Sequence, residues 1–239
     1  RGVPFVQIPT TIVSQVDSAV GGKTGVNAPE GKNLIGAFHQ PRLVLTDPNT
    51  LLTLAGREFR EGFAEVIKHA AIRDEEMFAD LEALDPMDQN VPSELIARNV
   101  AIKARIVEED EQETSGTRAL LNFGHTIGHG IEASVPYGTL LHGEAISLGI
   151  RAALRLSENH AGLAPDASQR ILALLTHYQL PLKLSNEIPT DLVIEKLLRD
   201  KKFSGGQKTF VLLDRPGNGI TCSRIPFEEI APTIDFLRS

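Results

Sequence analysis

The chain has 239 residues, 41% of them apolar, enough for one large domain or two small ones with a substantial core. With no Trp and only two Tyr, that core must be mostly aliphatic. A formal net charge of −7 argues against a nucleic-acid or anionic-membrane surface, the lone Cys222 allows no internal disulfide, and no apolar run is long enough to span a bilayer. No signal peptide is read, so a cytoplasmic location is expected.

The opening RGVPFVQIPTT reads as the middle of a domain, with Phe5–Pro9 a short buried strand ended by proline. Residues 10–20 read as helix or loop, and Gly21-Gly22-Lys23-Thr24-Gly25 as a glycine-rich turn. GKNLIGAFHQP, punctuated by glycine, reads as loop, and Leu43–Pro48 as a second strand-like run. Residues 1–54 are therefore expected to be part of an α/β layer with too few strands to close a sheet. From residue 55 the pattern becomes helical. Apolar residues three and four apart mark helices over 57–71, 75–84, 93–108, 122–133, 141–157, 165–178 and 191–199. The 122–133 helix is read through Gly124, Gly128 and Gly130, each costing about 1 kcal/mol against alanine. Lys208–Asp214, the turn PGNG and Ile220–Ile225 suggest a hairpin, followed by a last helix over 227–237.

Three segments carry chemistry: Glu65 in EGFAEVIKH, His125 and His129 in LNFGHTIGHGIE, and His142 in LLHGEAISLGI. His125 and His129, four apart on a helix, share a face. Thr126 stands where the HExxH zinc proteases carry their glutamate base. Glu65 with two of the three histidines makes a His/His/Glu set with one position open, the pattern of catalytic zinc. Spacing leaves open which two histidines bind. Gly21-Gly22-Lys23-Thr24 and Gly31-Lys32-Asn33 are turns that let a lysine approach phosphate, but neither is a Walker A loop. Arg199-Asp200-Lys201-Lys202 is a charge cluster at a helix end.

Read in order, IPTTIVSQVDSAVGGKTGVN, GKNLIGAFHQP, REFREGFAEVIKH, RALLNFGHTIGHGIE, LLHGEAISLGI and LLRDKK resemble the 3-dehydroquinate synthase family, over nearly all of the chain to about Asp214. The resemblance implies a two-domain enzyme. Residues 1–54 would be the C-terminal part of a Rossmann-like NAD-binding α/β domain, and 55–239 a mainly helical domain for metal and substrate. The upstream dinucleotide stretch is absent, so the chain is expected to be a fragment. Carried over by motif, the metal ligands are Glu65, His125 and His142, with Zn2+ or Co2+ as the ion. His129 becomes a substrate-contacting or supporting histidine instead of a ligand. Asp17, Lys23, Lys32, Asn33, Lys68, Lys103, Arg118 and Asn122 match positions around substrate. Thr10, Thr11, Lys23, Lys32, Thr50, Leu51, Leu52 and Thr53 match positions bordering NAD. Lys201 or Lys202 would reach the substrate phosphate, and Arg1 matches an arginine lent by a neighbouring subunit, which implies a homodimer. Gly130, where alanine is common, and His39, where an aromatic is, are minor departures.

The implied substrate is 3-deoxy-D-arabino-heptulosonate 7-phosphate, a sugar-acid phosphate of the shikimate pathway. The implied sequence is oxidation at C5 by NAD+, elimination of phosphate, re-reduction, ring opening and aldol closure to 3-dehydroquinate. Another NAD- and metal-dependent sugar-phosphate cyclase, such as 2-deoxy-scyllo-inosose synthase or 2-epi-5-epi-valiolone synthase, is the alternative. A dehydrogenase of the same architecture and a non-catalytic scaffold domain are more distant ones.

Overall fold

The computed structural model describes residues 2–28, 31–199 and 209–239. Arg1, Lys201 and Lys202 lie outside the described residues. The N-terminal segment holds two small sheets. β1 (Val6–Gln7) pairs in parallel with β4 (Leu43–Val44). Between them β2 (Lys23–Ala28) and β3 (Gly31–Phe38) form an antiparallel hairpin, with Lys23 opposite Phe38 and Val26 opposite Ile35. The stretch expected as loop is thus a strand. Its glycines lower intrinsic strand preference, but cross-strand pairing with β2 decides the outcome. Phe5–Pro9 also departs from expectation, because Val6 and Ile8 are more than half exposed: among the described residues nothing covers that face of the β1–β4 pair.

The rest is a helical body. The 57–71 stretch divides at Gly62 into α1 (Gly56–Glu61) and α2 (Phe63–Arg73). α3 (Met77–Ala83) and α4 (Ser93–Glu109) follow. A 3-10 turn over Thr117–Asn122 leads into α5 (His125–Glu132). This corrects the single helix expected over 122–133. Gly124 takes φ +76, a left-handed conformation that ends one helical path and starts another. α6 (His142–His160), α7 (Pro165–His177) and α8 (Thr190–Arg199) come next. β5 (Phe210–Arg215) and β6 (Asn218–Cys222) form the expected hairpin, and α9 (Ile230–Phe236) closes the order.

α2 is buried on every side from Phe63 to Ile72, so any polar group it carries must be paired or coordinated. The larger core wraps it with apolar side chains of α3, α4, α6 and α7, among them Phe78, Ile106, Ile150 and Leu175. A second core joins α5, α6, α8, α9 and the β5–β6 hairpin around Ile131, Leu156, Val193 and Ile234. Both cores share α6, which therefore sets where the end of α5 stands relative to α2.

Candidate metal centre and anion cradle

Three elements, α2, α5 and α6, meet at Glu65. It lies on α2 and is fully buried. His125 opens α5, and its Nε2 is 3.3 Å from Glu65 Oε1. His142 opens α6, and its Nε2 is 3.3 Å from the same oxygen. His125 Nδ1 donates to the Phe123 carbonyl at 3.0 Å, which fixes the tautomer and leaves the Nε2 lone pair facing the carboxylate. Neither oxygen of Glu65 has a hydrogen-bond partner among the described residues, although Oε2 forms an ion pair with Lys68 Nζ. A buried carboxylate facing an imidazole lone pair is repulsive unless a cation stands between them. Ligand atoms about 2.0–2.1 Å from a tetrahedral ion stand about 3.3–3.4 Å apart, so the donors suit a borderline divalent metal. Without metal a proton takes that place. Burial would lower His142, but Glu132 and Glu65 outweigh it and hold the imidazole up to about 10.

The start of α6 is fastened to α1. Gly143 N–H donates to Glu61 Oε2 at 2.5 Å, and Arg57 grips Glu144 through Nε at 2.7 Å and Nη2 at 2.6 Å. Glu144 in turn accepts from Leu141 N–H at 2.8 Å and caps the helix. A Cβ at Gly143 would meet the Glu61 carbonyl at 1.8 Å, so only glycine allows this approach. A Cβ at Gly149 would likewise meet the Gly124 carbonyl at 1.9 Å, and α5 and α6 pack through that contact.

Behind Glu65 lies a charge-balanced cradle. Lys103 Nζ is 2.7 Å from Asp17 Oδ1 and also donates to the Asp17 carbonyl at 2.6 Å; Lys68 Nζ is 3.6 Å from Asp17 Oδ1. Burial raises the carboxyls of Asp17 and Glu65, but the neighbouring cations, Lys68 first, outweigh it and keep both well below the usual range. Burial lowers Lys103, only partly offset by Asp17, whereas Asp17 and Glu65 outweigh burial at Lys68 and raise it. His69, one residue on, is fully buried and held down to about 3, chiefly by burial and then by Lys68. Asn99 spends its amide donors on the Leu95 carbonyl and Met77 Sδ, so its oxygen accepts from His69 Nδ1 at 3.2 Å.

Arg118 is buried. Its Nη2 donates to the Gly21 carbonyl and its Nη1 to the Glu111 carbonyl, each at 2.7 Å, tying the glycine turn to the loop after α4. Asp110 organises that loop by accepting from Thr114, Ser115 and Arg118 N–H groups, which lower its carboxyl. Lys23 pairs with Glu113.

The remaining expected residues are more dispersed. Asn122 is half-buried at the end of its 3-10 turn, and Lys32 and Asn33 fall on β3. Thr10 is exposed, while Thr11 exchanges hydrogen bonds with Ser14. Thr50 accepts from Gln15 at 3.0 Å, Leu52 and Thr53 are exposed, and Leu51 is fully buried, so its side chain packs in the core. His129 is exposed beside the centre, its ring 5.0 Å from that of His125 and 5.9 Å from that of His142. Glu61, Arg57, Glu144, His69, Asn99, Asp110 and Glu132 were not singled out by the sequence reading. Asn99 offered a signal, being polar on the apolar stripe of α4 between Leu95 and Ile102.

The fold closely matches a solved cyclase, 2-epi-5-epi-valiolone synthase from Streptomyces hygroscopicus subsp. jinggangensis 5008 with NAD+ and Zn2+ bound: TM-score 0.89 at 29% identity, over 99% of this chain and 67% of that one. Family models of 3-dehydroquinate synthase match residues 1–61 (N-terminal) and 62–203 (C-terminal), and the chain belongs to that family. It is 48% identical to a 3-dehydroquinate synthase of Geobacter metallireducens, over 92% of this chain and 61% of the relative. A Vibrio atlanticus 3-dehydroquinate synthase is 45% identical over the whole chain and 67% of its own length. The chain thus spans roughly two-thirds of these relatives. No described helix is long and apolar enough to cross a membrane.

Proposed function

We propose that the protein carrying this chain converts 3-deoxy-D-arabino-heptulosonate 7-phosphate to 3-dehydroquinate and phosphate, with NAD and a Zn2+ or Co2+ ion as cofactors. One observation carries the reading: a buried Glu65 oxygen stands 3.3 Å from the Nε2 atoms of both His125 and His142 in a chain 45–48% identical to named synthases. Glu65, His125 and His142 would hold the ion. When bound, NAD supplies a recyclable hydride acceptor and the ion a Lewis acid for substrate oxygens.

The chain's own residues bind and orient. Lys68 and Lys103 offer ammonium groups to an anionic substrate, and Asp17 keeps them apart and aligned. Because burial lowers Lys103, its Nζ gives up a proton more readily than a surface lysine. Arg118 fixes the glycine turn, so the Lys23 backbone starts from a set position. Asn122 and His129 complete the polar wall, with His129 serving rate and not ion binding. Lys23, Lys32, Asn33 and Lys201 or Lys202 would meet the charged ends of the substrate. Thr10, Thr11, Lys23, Lys32 and the 50–53 segment would border NAD.

On this reading residues 1–54 end an NAD-binding domain and 55–239 form the metal and substrate domain. The protein is a cytoplasmic homodimer in which Arg1 serves the partner's site. Among the rivals, the structural likeness favours a 2-epi-5-epi-valiolone synthase. Offering the full-length enzyme the heptulosonate phosphate, sedoheptulose 7-phosphate and glucose 6-phosphate separately tests the choice. Carbocycle formation from the first alone, followed by NMR, supports the proposal. Formation only from either of the others refutes it.

A further inference from the structure

The two ring nitrogens of His142 both face carboxylates. Nε2 is 3.3 Å from Glu65 on α2, and Nδ1 is 3.6 Å from Glu132 Oε2 on α5. The ring is therefore strung between two helices, whereas His125 is steadied by a backbone carbonyl of its own segment. Glu132 is half-buried and lies one turn after His129, so the α5 face that brings His129 to the mouth also brings this carboxylate behind His142. The α6 N-terminus that carries His142 is fixed independently through Glu61 and Gly143. That fastening sets the helix end but leaves the ring free to turn about its own side-chain bonds; among the described residues Glu132 is the group placed to stop it.

We infer that Glu132 is a positioning residue for the metal centre: its carboxylate, facing Nδ1 of His142, favours the tautomer that carries the proton on Nδ1 and turns Nε2 toward Glu65, and so raises the affinity of the centre for a divalent cation. This rests on the reading of Glu65, His125 and His142 as ligands. A carboxylate behind a ligating imidazole fixes ring orientation and raises ligand basicity, and its loss costs about 10- to 100-fold in metal affinity. Glu132, His129 and His142 are themselves close enough to form an outer chelating group, so the test must separate the two roles.

Zn2+ affinity of the full-length protein, measured by competition with a chromophoric chelator, makes that separation. Glu132→Ala should weaken binding about 10- to 100-fold, and Glu132→Gln, which keeps an acceptor of the same shape, should weaken it less. His129→Ala should stay within about threefold of the parent, because it leaves the His142 ring braced. Co2+-loaded Glu132→Ala should also show an altered visible absorption band, which a loss of fold stability alone would not produce. Glu132→Ala within about twofold of the parent overturns the inference, as does equal loss in His129→Ala, which would make the outer group the chelate. The assay does not read turnover, so a protein that binds metal as expected but releases no phosphate would refute the proposed function and leave this result standing.

Discussion

Glu65 carries opposite demands: one oxygen faces two imidazoles and the other pairs with Lys68, while the carboxylate itself has no contact with water. Such a carboxylate is stable only while its cations are present. Glu65→Ala, His125→Ala and His142→Ala should each abolish tight Zn2+ binding in equilibrium dialysis, while His129→Ala keeps the ion and loses rate. Equal metal loss in all four would contradict the ligand set. His69 gives a prediction of opposite chemical sense. Its folded value is pulled to about 3, below its ordinary 6.5, so folding holds it neutral. Above pH 6.5 the folded and unfolded states are both neutral there and no penalty arises. As pH falls from 6.5 towards 3, the unfolded state gains a proton that the folded state refuses, and stability drops by on the order of 1 kcal/mol per pH unit. Asp17 and Glu65, with lowered values, add their own loss only below the ordinary carboxyl range. Denaturant titrations of the metal-free protein should show this decline between pH 6.5 and 5, and His69→Gln should flatten it. An unchanged slope in the variant would show that His69 is not held neutral by the fold.

At the scale of the element, two helix starts decide where the ligands stand. His125 and His142 are both first residues of helices, and both helices are placed by glycines that admit backbone at less than side-chain distance. Gly143→Ala must push α6 away from the Glu61 carbonyl, a steric cost of about 1–3 kcal/mol or more. It should lower the melting temperature and weaken Zn2+ binding together, since His142 moves with the helix end. Parent-like metal affinity in a folded Gly143→Ala protein would show that α6 is not what sets the centre. The helices themselves were legible in the sequence to within a few residues, because their apolar spacing is strong. The break at Gly124 was not, since apolar periodicity runs through it and only the positive φ reveals it. The β2–β3 hairpin was misread for a related reason: its strand character comes from pairing, not from composition.

Across the whole molecule, residues far apart in sequence form one polar core. Asp17, in a short helix over Ser14–Ser18, joins Glu65, Lys103, His125 and His142 from four further helices, and spacing alone left open which histidines meet the glutamate. Family resemblance supplied that pairing. The supporting side chains Glu132 and Glu61 were hidden because acidic residues on helices are usually solvated. The apolar side chains of the first 54 residues are unevenly covered: Val3, Val6, Ile8, Val26, Ile35, Leu43 and Leu45 are all more than half exposed. So much exposed apolar surface favours association. The 239-residue chain by itself should scatter light as a self-associating species, and a monodisperse monomer would contradict this. The most direct test of the central claim is phosphate release from 3-deoxy-D-arabino-heptulosonate 7-phosphate by the full-length protein with NAD+ and Zn2+. The account predicts steady release with no net NADH, abolished by a chelator and restored by Zn2+ or Co2+. No release from folded, metal-loaded protein, or accumulation of NADH in step with substrate, would contradict it.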